Sequence, residues 1–395
     1  MKKILIIGAG FLQSFVIIKA KKMGYEVLAV DANPDAVGFL FADKYAVINI
    51  VDEKACLAYA QEENVDGVLT AATDYGVLTA SYIAQQMNLP GLDYEVAKRI
   101  KNKYQVRRCL YEAKVDDAEQ AYEVNATTDL ASLAEKLSFP VMVKPCDGSG
   151  SRGVARVDDA LGFADACRNA MAASITHRAE VETFIAGREY GAESLVVDGE
   201  VHVLGIMRKW MTEPPYYAEL GHAMPSGLDG TVEKKVIDCV EKAIKALGIN
   251  FGSVNMDLLV TEDNKVYIVD VGARMGGNLI GSHIIPYGSG IPYIENMIKA
   301  HTGESINFKP VTVPQSVATR ILALTPGVVE QLPAMQSTDD IMIEHHLQIG
   351  DMIREYRTNL DGCGYVVCVA DTMDNAEMKA EREKNRIDLG IKRKK

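Results

Sequence analysis

The residues best placed for chemistry lie in the stretch 251–278, FGSVNMDLLVTEDNKVYIVDVGARMGGN. Two apolar runs, SVNMDLLV and KVYIVDVG, flank the polar, turn-forming Glu262-Asp263-Asn264, a pattern that predicts a β-hairpin. A turn centred between Asp263 and Asn264 sets Asp257 directly across from Asp270, and Asn255 across from Gly272. Opposed side chains on one face have Cβ atoms about 5 Å apart, and at an effective dielectric near ~20 two carboxylates there repel by roughly 3 kcal/mol. A divalent cation turns that repulsion into a site. A face turned to water, or a register slip of one residue, would leave the pair without chemistry. The residues that follow, Gly272-Ala273-Arg274-Met275-Gly276-Gly277-Asn278, form a glycine-bearing loop with one fixed cation. Such a loop allows close approach of a ligand, and arginine matches phosphate or carboxylate geometry. Carboxylates, a metal and an arginine together point to phosphoryl chemistry.

A second candidate is FPVMVKPCDGSGSRGVAR over 139–156. A buried strand ends at Lys144, and a loop of glycines and serines follows over 147–153. Successive backbone N–H groups in such a loop can cradle phosphate oxygens, with Lys144 as a point charge beside them. The GKS/T order of a Walker loop is absent. A plain turn would need neither so many glycines nor the lysine.

These segments sit in a chain of 395 residues, long enough for two or three domains with their own cores. Apolar and charged contents of 48% and 24% are those of an ordinary globular protein. A net charge of −12 argues against general nucleic-acid binding, and the basic end at Lys392, Arg393, Lys394 and Lys395 reads as a solvated terminus. Seven cysteines without CxxC spacing suggest a reduced, cytoplasmic setting with no disulfide framework. The run ILIIGAGFLQSFVII is broken by Gly8, Gly10, Gln13 and Ser14 and is read as strand, loop and helix rather than a leader, and nothing reaches membrane-spanning length.

Up to residue 90, apolar β-branched runs alternate with amphipathic helices over 14–23, 52–63 and 75–87, which predicts parallel βαβ units. Gly8-Ala9-Gly10 and Asp31 hint at a dinucleotide site, but Gln13 stands where the third glycine of GxGxxG belongs, so a Rossmann-like domain without a dinucleotide is expected. The stretch 94–113 reads as one basic helix, 129–137 as another, and 180–203 as strands with a hairpin through Asp198-Gly199. Residues 210–230 read as a long irregular loop, which in a compact domain is usually functional. Helices are expected over 231–247, 291–301 and 375–386, with the segment from 311 onward forming a separate lobe of strands and a charged helix.

The order of these elements resembles an ATP-grasp enzyme, and within that superfamily the carboxylate–amine ligases of the L-amino-acid ligase branch. The likeness covers nearly the whole chain, including Thr325-Pro326-Gly327 and the GYVVCVADT strand from Gly364. It implies an α/β fold, with α+β character in the centre: a Rossmann-like domain over 1–92, a two-lobed ATP-grasp module over 93–310 (nucleotide lobe about 115–185, catalytic lobe about 186–310), and a C-terminal lobe over 311–395. The resemblance places the nucleotide lysines at Lys103 and Lys144, the phosphate loop at Ser149, Gly150, Ser151 and their neighbours, and the adenine hinge at Glu182, Phe184 and Ile185. It places the ribose acid at Glu189, the magnesium carboxylates at Asp257 and Asp270, and the phosphate-facing arginine at Arg274, which with Lys144 carries catalysis.

The family commonly has Glu-x-Asn-x-Arg where this chain has Asp270-Val271-Gly272-Ala273-Arg274. Asn255 or Asn278 is the candidate for the missing oxygen ligand. Arg208 and Arg274 are candidates to hold substrate carboxylates, Glu219 or Asp74 to hold an ammonium, and His222 to join them. The implied cofactors are ATP and Mg2+, with Mn2+ as a substitute, and the implied partners are small carboxylate and amine substrates and a second copy of the chain in a homodimer, with no nucleic acid and no membrane. The reaction implied is phosphorylation of a carboxylate followed by attack of an amine. Competing readings are an ATP-grasp enzyme that activates bicarbonate or formate, a nicotinamide oxidoreductase, and a nucleotide-binding module without catalysis.

Overall fold

A computed structural model of the chain describes residues 1–148, 152–214 and 216–394. The first 90 residues form a parallel sheet from β1 (Lys3–Ile7), β2 (Glu26–Asp31), β3 (Lys44–Val47) and β4 (Gly67–Thr70), in the order β3-β2-β1-β4. Helices α1 (Phe11–Lys22), α2 (Glu53–Glu63) and α3 (Val77–Met87) connect the strands. Leu5, Ile7, Val30 and Val68 are buried in this sheet, as continuous apolar strands between helices must be. Gln13 donates to the Ala71 carbonyl at 2.5 Å, and both oxygens of Asp31 accept backbone N–H groups, from Ala9 and Asn33.

The basic stretch expected as one helix is two, α4 (Tyr94–Ile100) and α5 (Lys103–Glu112). The first ends at its cap Lys101, and Asn102 caps the second, its side chain accepting from Gln105 N–H at 3.0 Å. An asparagine favours a cap over a helix interior, and that competition splits the run. A four-stranded sheet follows, β5 (Tyr122–Val124), β6 (Val141–Pro145), β7 (Ala155–Val157) and β8 (Ala179–Thr183), in the order β5-β8-β6-β7. Helices α6 (Leu130–Ala134) and α7 (Ala160–Ala173) accompany it. Asp129 caps α6, so the helix read over 129–137 is a single short turn after its cap.

The largest sheet has eight strands. Its first five are β9 (Arg188–Val197), β10 (Glu200–Met211), β11 (Glu219–Met224), β12 (Gly252–Val260) and β13 (Val266–Gly272), with α8 (Gly230–Leu247) between β11 and β12. The expected hairpin at Asp198-Gly199 joins β9 and β10. The stretch expected to be irregular contains β11, whose partners are β10 and the remote strand β14 (Ser316–Ile321), a long-range pairing that local sequence does not announce. Helices α9 (Ile285–Ser289) and α10 (Tyr293–His301) precede β14. The chain then continues through β15 (Gly327–Gln331), β16 (Ile341–His345), β17 (Met352–Ile353), β18 (Gly364–Ala370), α11 (Met373–Gly390) and β19 (Lys392–Lys394). The large sheet runs β13-β12-β9-β10-β11-β14-β18-β16, so three strands of the C-terminal segment extend it, while β17, β15 and β19 make a small sheet of their own. No helix among the described residues is long and apolar enough to cross a membrane, and all seven cysteines are free thiols.

Candidate active site

Strand alternation explains which side chains meet. In the register of β9, β12 and β13, Glu193, Asn255 and Gly272 share one row, and Gly191, Asp257 and Asp270 share the next on the same face. The opposite face carries Tyr190, Ala192, Met256, Leu258 and Val271, which are buried against Val236, Val240 and Ile244 of α8. The expected pairing of Asp257 with Asp270 is therefore present. The route to it differs: beyond Asp257 the register shifts, with Leu258 facing Ile268 and Val260 facing Val266. The turn is centred on Asp263, half a residue earlier than the turn residues suggested, and an irregularity after Asp257 restores the pairing.

This face looks into a cavity of about 790 Å3, lined also by residues of β6 and β8 and by residues 72–75, which follow β4. Lys103, at the start of α5, forms an ion pair with Asp270. Burial alone would push the Asp270 carboxyl up, but Lys103, Lys144 and Arg274 hold it below the ordinary range. Lys144 is buried, paired with Glu182, and 3.4 Å from the Val269 carbonyl. Glu182 also faces Arg107 at 3.6 Å, so its carboxylate pairs with two cations of the cavity lining. Arg107 in turn holds Asp116 at 3.0 Å and donates to the Ile268 carbonyl. Of the expected hinge, the Phe184 N–H is committed to the Pro140 carbonyl at 3.1 Å, and Phe184 and Ile185 both line the cavity. Met142, Ile185, Leu259 and Ile268 make that part of the cavity apolar.

Asp257 is answered by Lys209 at 2.6 Å. The same buried ammonium meets Glu219 at 2.6 Å and Glu189 at 3.6 Å. Burial opposes its charge, yet the three carboxylates keep Lys209 protonated well above its usual range. Burial also raises Glu189 and Asp257, whereas Glu219 is drawn below the ordinary range by Lys209 and His222 against its own burial. The second Glu219 oxygen accepts from Asn278 and, at 3.0 Å, from Asn359. Tyr365 donates to Asn278 Oδ1 at 3.1 Å. Asn278 and Leu279 both have left-handed backbones, at φ of 51° and 61°, and lead into a π-helical turn over Ile280–Ile284. Such strain and such turns concentrate at functional sites.

Arg274 meets Asp74 through Nε at 3.0 Å and Nη2 at 3.3 Å, while Nη1 donates to Asn255 Oδ1 at 3.2 Å. Asp74 reaches it because Ala71 bridges Met275, with Ala72 N–H donating to the Met275 carbonyl at 3.0 Å. Of the expected phosphate loop, Ser149, Gly150 and Ser151 lie outside the described residues. On its flanks, Asp147 accepts from Ile175 and Thr176 N–H groups at 3.1 and 2.9 Å, and Arg152 donates to the Tyr75 hydroxyl at 2.7 Å.

The structure thus gathers Lys103, Lys144, Glu182, Phe184, Ile185, Glu189, Glu219, Asn255, Asp257, Asp270, Arg274, Asn278 and Asp74 on one cavity. It leaves Arg208 off the cavity wall, 3.7 Å from Glu377 of α11, because its neighbour Lys209 holds the inward position on β10. His222 lies buried 3.9 Å from Glu219, its pKa lowered to about 4 by burial, so its ring is neutral. Sequence reasoning missed Lys209, Arg107, Glu193, Asn359 and Tyr365. Alternation with Met207 and Met211 on β10 carried a signal for Lys209. Asn359 and Tyr365 arrive by tertiary folding alone.

Two carboxylates suit a hard, oxygen-seeking cation, and Mg2+ is commonly held by one or two carboxylates plus substrate phosphates. Among the described residues no group of three or more His, Cys, Asp or Glu side chains is arranged to hold a metal ion. The Asn255 side-chain oxygen accepts from Arg274 and that of Asn278 from Tyr365, and each amide oxygen keeps a second lone pair.

Comparison with known proteins finds two family models in the chain. Residues 137–282 match the ATP-grasp domain, and residues 320–392 match the L-amino acid ligase C-terminal domain 2. Uncharacterized protein y4rH of Sinorhizobium fredii is 26% identical over 336 residues, covering 83% of this chain and 69% of that protein. The carbamoyl phosphate synthase large chain of Thermoanaerobacter pseudethanolicus is 23% identical over 368 residues, and the match spans 87% of this chain but only 34% of that protein. The crystal structure of L-amino acid ligase from Bacillus licheniformis superposes with a TM-score of 0.82 at 22% identity, covering 98% of each chain, a likeness of fold.

Proposed function

We propose that the chain, whose residues 137–282 match the ATP-grasp domain, is a ligase joining a carboxylate to an amine, with amino-acid-like substrates and with ADP and phosphate as the other products. The observation that carries this reading is the opposed pair Asp257 and Asp270, ringed by Lys103, Lys144 and Arg274 in one cavity. In this reading a substrate carboxylate oxygen attacks the γ-phosphorus of ATP and ADP departs. The amine then attacks the carbonyl carbon of the acyl phosphate, phosphate leaves, and the amine gives up a proton.

Such transfer needs positioning and charge neutralisation more than a covalent nucleophile. Lys103, Lys144 and Arg274 supply fixed positive charge. The apolar slot of Met142, Ile185, Leu259 and Ile268 takes the base, and Glu189 takes the ribose. Asp257 and Asp270 would hold Mg2+, which when bound neutralises phosphate charge. The end of the cavity lined by Glu219, Asn278, Asn359 and Tyr365 takes the substrates, with Lys209 holding Glu219 in place. The division at 1–92, 93–310 and 311–395 and the cytoplasmic setting belong to the same proposal.

The test is to incubate the protein with ATP, Mg2+ and pools of amino acids and small carboxylates while following phosphate and identifying the nucleotide product. ADP and phosphate appearing only with a carboxylate and amine pair supports the ligase. Turnover with bicarbonate or formate alone would move the assignment to that class.

A further inference from the structure

Glu193 has no part in the reaction above, yet it is wholly buried directly behind the site. Its carboxylate accepts three hydrogen bonds. Tyr293 Oη donates to Oε1 at 2.5 Å, Gly276 N–H donates to Oε1 at 3.0 Å, and Asn255 Nδ2 donates to Oε2 at 3.0 Å. Each donor fixes something the site uses. The Gly276 bond pins the loop that carries Arg274 and Asn278 to the sheet. The fit there is close, since a Cβ on Gly276 would fall 2.9 Å from both Glu193 Oε2 and Asn255 Nδ2.

The Asn255 bond decides which end of an amide faces Arg274. With its NH2 turned to a carboxylate, Asn255 must present Oδ1 to the other side, where Arg274 Nη1 donates to it at 3.2 Å. The cross-strand row Glu193, Asn255, Gly272 places these groups in line. We propose that Glu193 is the positioning residue of Arg274: it orients the Asn255 amide, and that amide, with Asp74 on the other side, aims the guanidinium. The proposal rests on Arg274 acting on the phosphoryl group as described above.

Polarity makes the proposal testable. Glu193→Gln keeps shape and can still accept from Tyr293 and Gly276 through its oxygen, but it then points an NH2 group at the Asn255 NH2. Asn255 relieves that contact by turning its amide, which sets its NH2 against Arg274. Asn255→Asp alone fails for the opposite reason, because it places a second carboxylate against Glu193. The double change is different, since the Gln NH2 at 193 donates to one carboxylate oxygen at 255 and Arg274 donates to the other.

The expected result is that kcat falls in each single variant by about 100-fold, the loss typical of a misplaced catalytic group, while KM for ATP stays within about twofold and the double variant recovers most of the loss. Crystal structures of the Glu193→Gln variant and the double variant give a readout that needs no turnover: the Arg274–Asn255 bond is lost in the first and present in the second. An unmoved Arg274 in the Glu193→Gln structure overturns the proposal whatever the activity, and so does a double variant no better than the worse single one. Absence of ligase turnover in the unaltered protein would count against the functional reading, and the two structures would still decide the geometry.

Discussion

The guanidinium of Arg274 lies over Gly272, the residue two positions before it on the same chain: a Cβ at Gly272 would fall 2.9 Å from Arg274 Cζ and 3.0 to 3.1 Å from its two terminal nitrogens. The strand therefore spends the space of a side chain at 272 on folding the arginine back toward Asp74 and Asn255. Gly272→Ala is expected to displace the guanidinium and lower kcat by about 100-fold, since small misplacements of a catalytic group cost that much. A variant with unchanged kcat would show that Arg274 needs no such room.

Asp257 and Asp270 each face a lysine and share one face, so each has a separate local counter-charge and both line the same cavity. Asp257→Asn and Asp270→Asn should each raise the Mg2+ concentration needed for half-maximal ADP release by about tenfold or more, on the scale seen when one ligand of a metal site is weakened. The check is a Mg2+ titration at saturating ATP. Identical half-saturation in both variants and the unaltered protein would remove the metal from this pair.

Lys209 is the ammonium shared by Asp257, Glu219 and Glu189 in a buried setting. Removing one member of a buried charge group leaves the others uncompensated, at a cost of roughly 3 to 5 kcal/mol. Lys209→Met is expected to lower the denaturant midpoint accordingly, whereas Arg208→Met, off the cavity on the same strand, should cost less and leave turnover nearly unchanged. Equal losses in the two variants would contradict the placement of Lys209.

His301 is held by the Met297 carbonyl at 2.9 Å from Nδ1 and by an edge contact to Phe251 at 5.0 Å, and burial lowers its pKa to about 4. In the unfolded chain the ring titrates near ~6.5. Between those values the unfolded state binds the extra proton, so folding stability contributed by the neutral ring is complete above about pH 6.5 and is lost as pH falls toward about 4. Comparing stabilities from urea unfolding at pH 8 and pH 5 should show a smaller acid loss in His301→Phe than in the unaltered protein, by about 2 kcal/mol. Equal losses would mean that the ring protonates freely in the folded state.

The paired carboxylates were legible because a strand has a period of two and the hairpin is closed by polar turn residues. Their register tolerated a misplaced turn only because an irregularity after Asp257 compensates. The division of the basic stretch into α4 and α5 was obscured by helical composition on both sides of Asn102, and only the cap reveals it. Strand β11 was read as loop because its partners are β10 and β14, the latter about ninety residues away in the chain. For the same reason the sequence could not bring Asn359 and Tyr365 of the C-terminal segment to Glu219 and Asn278. Arg208 and Lys209 are adjacent, and a shift of one position on a strand exchanges the faces they occupy.

The most direct test of the central claim is to supply the carboxylate substrate labelled with 18O and to analyse the phosphate released together with ADP. Formation of an acyl phosphate moves one carboxylate oxygen into that phosphate, so the account predicts one 18O atom per phosphate, dependent on the amine for net turnover. Unlabelled phosphate, or AMP and pyrophosphate in place of ADP, would contradict it.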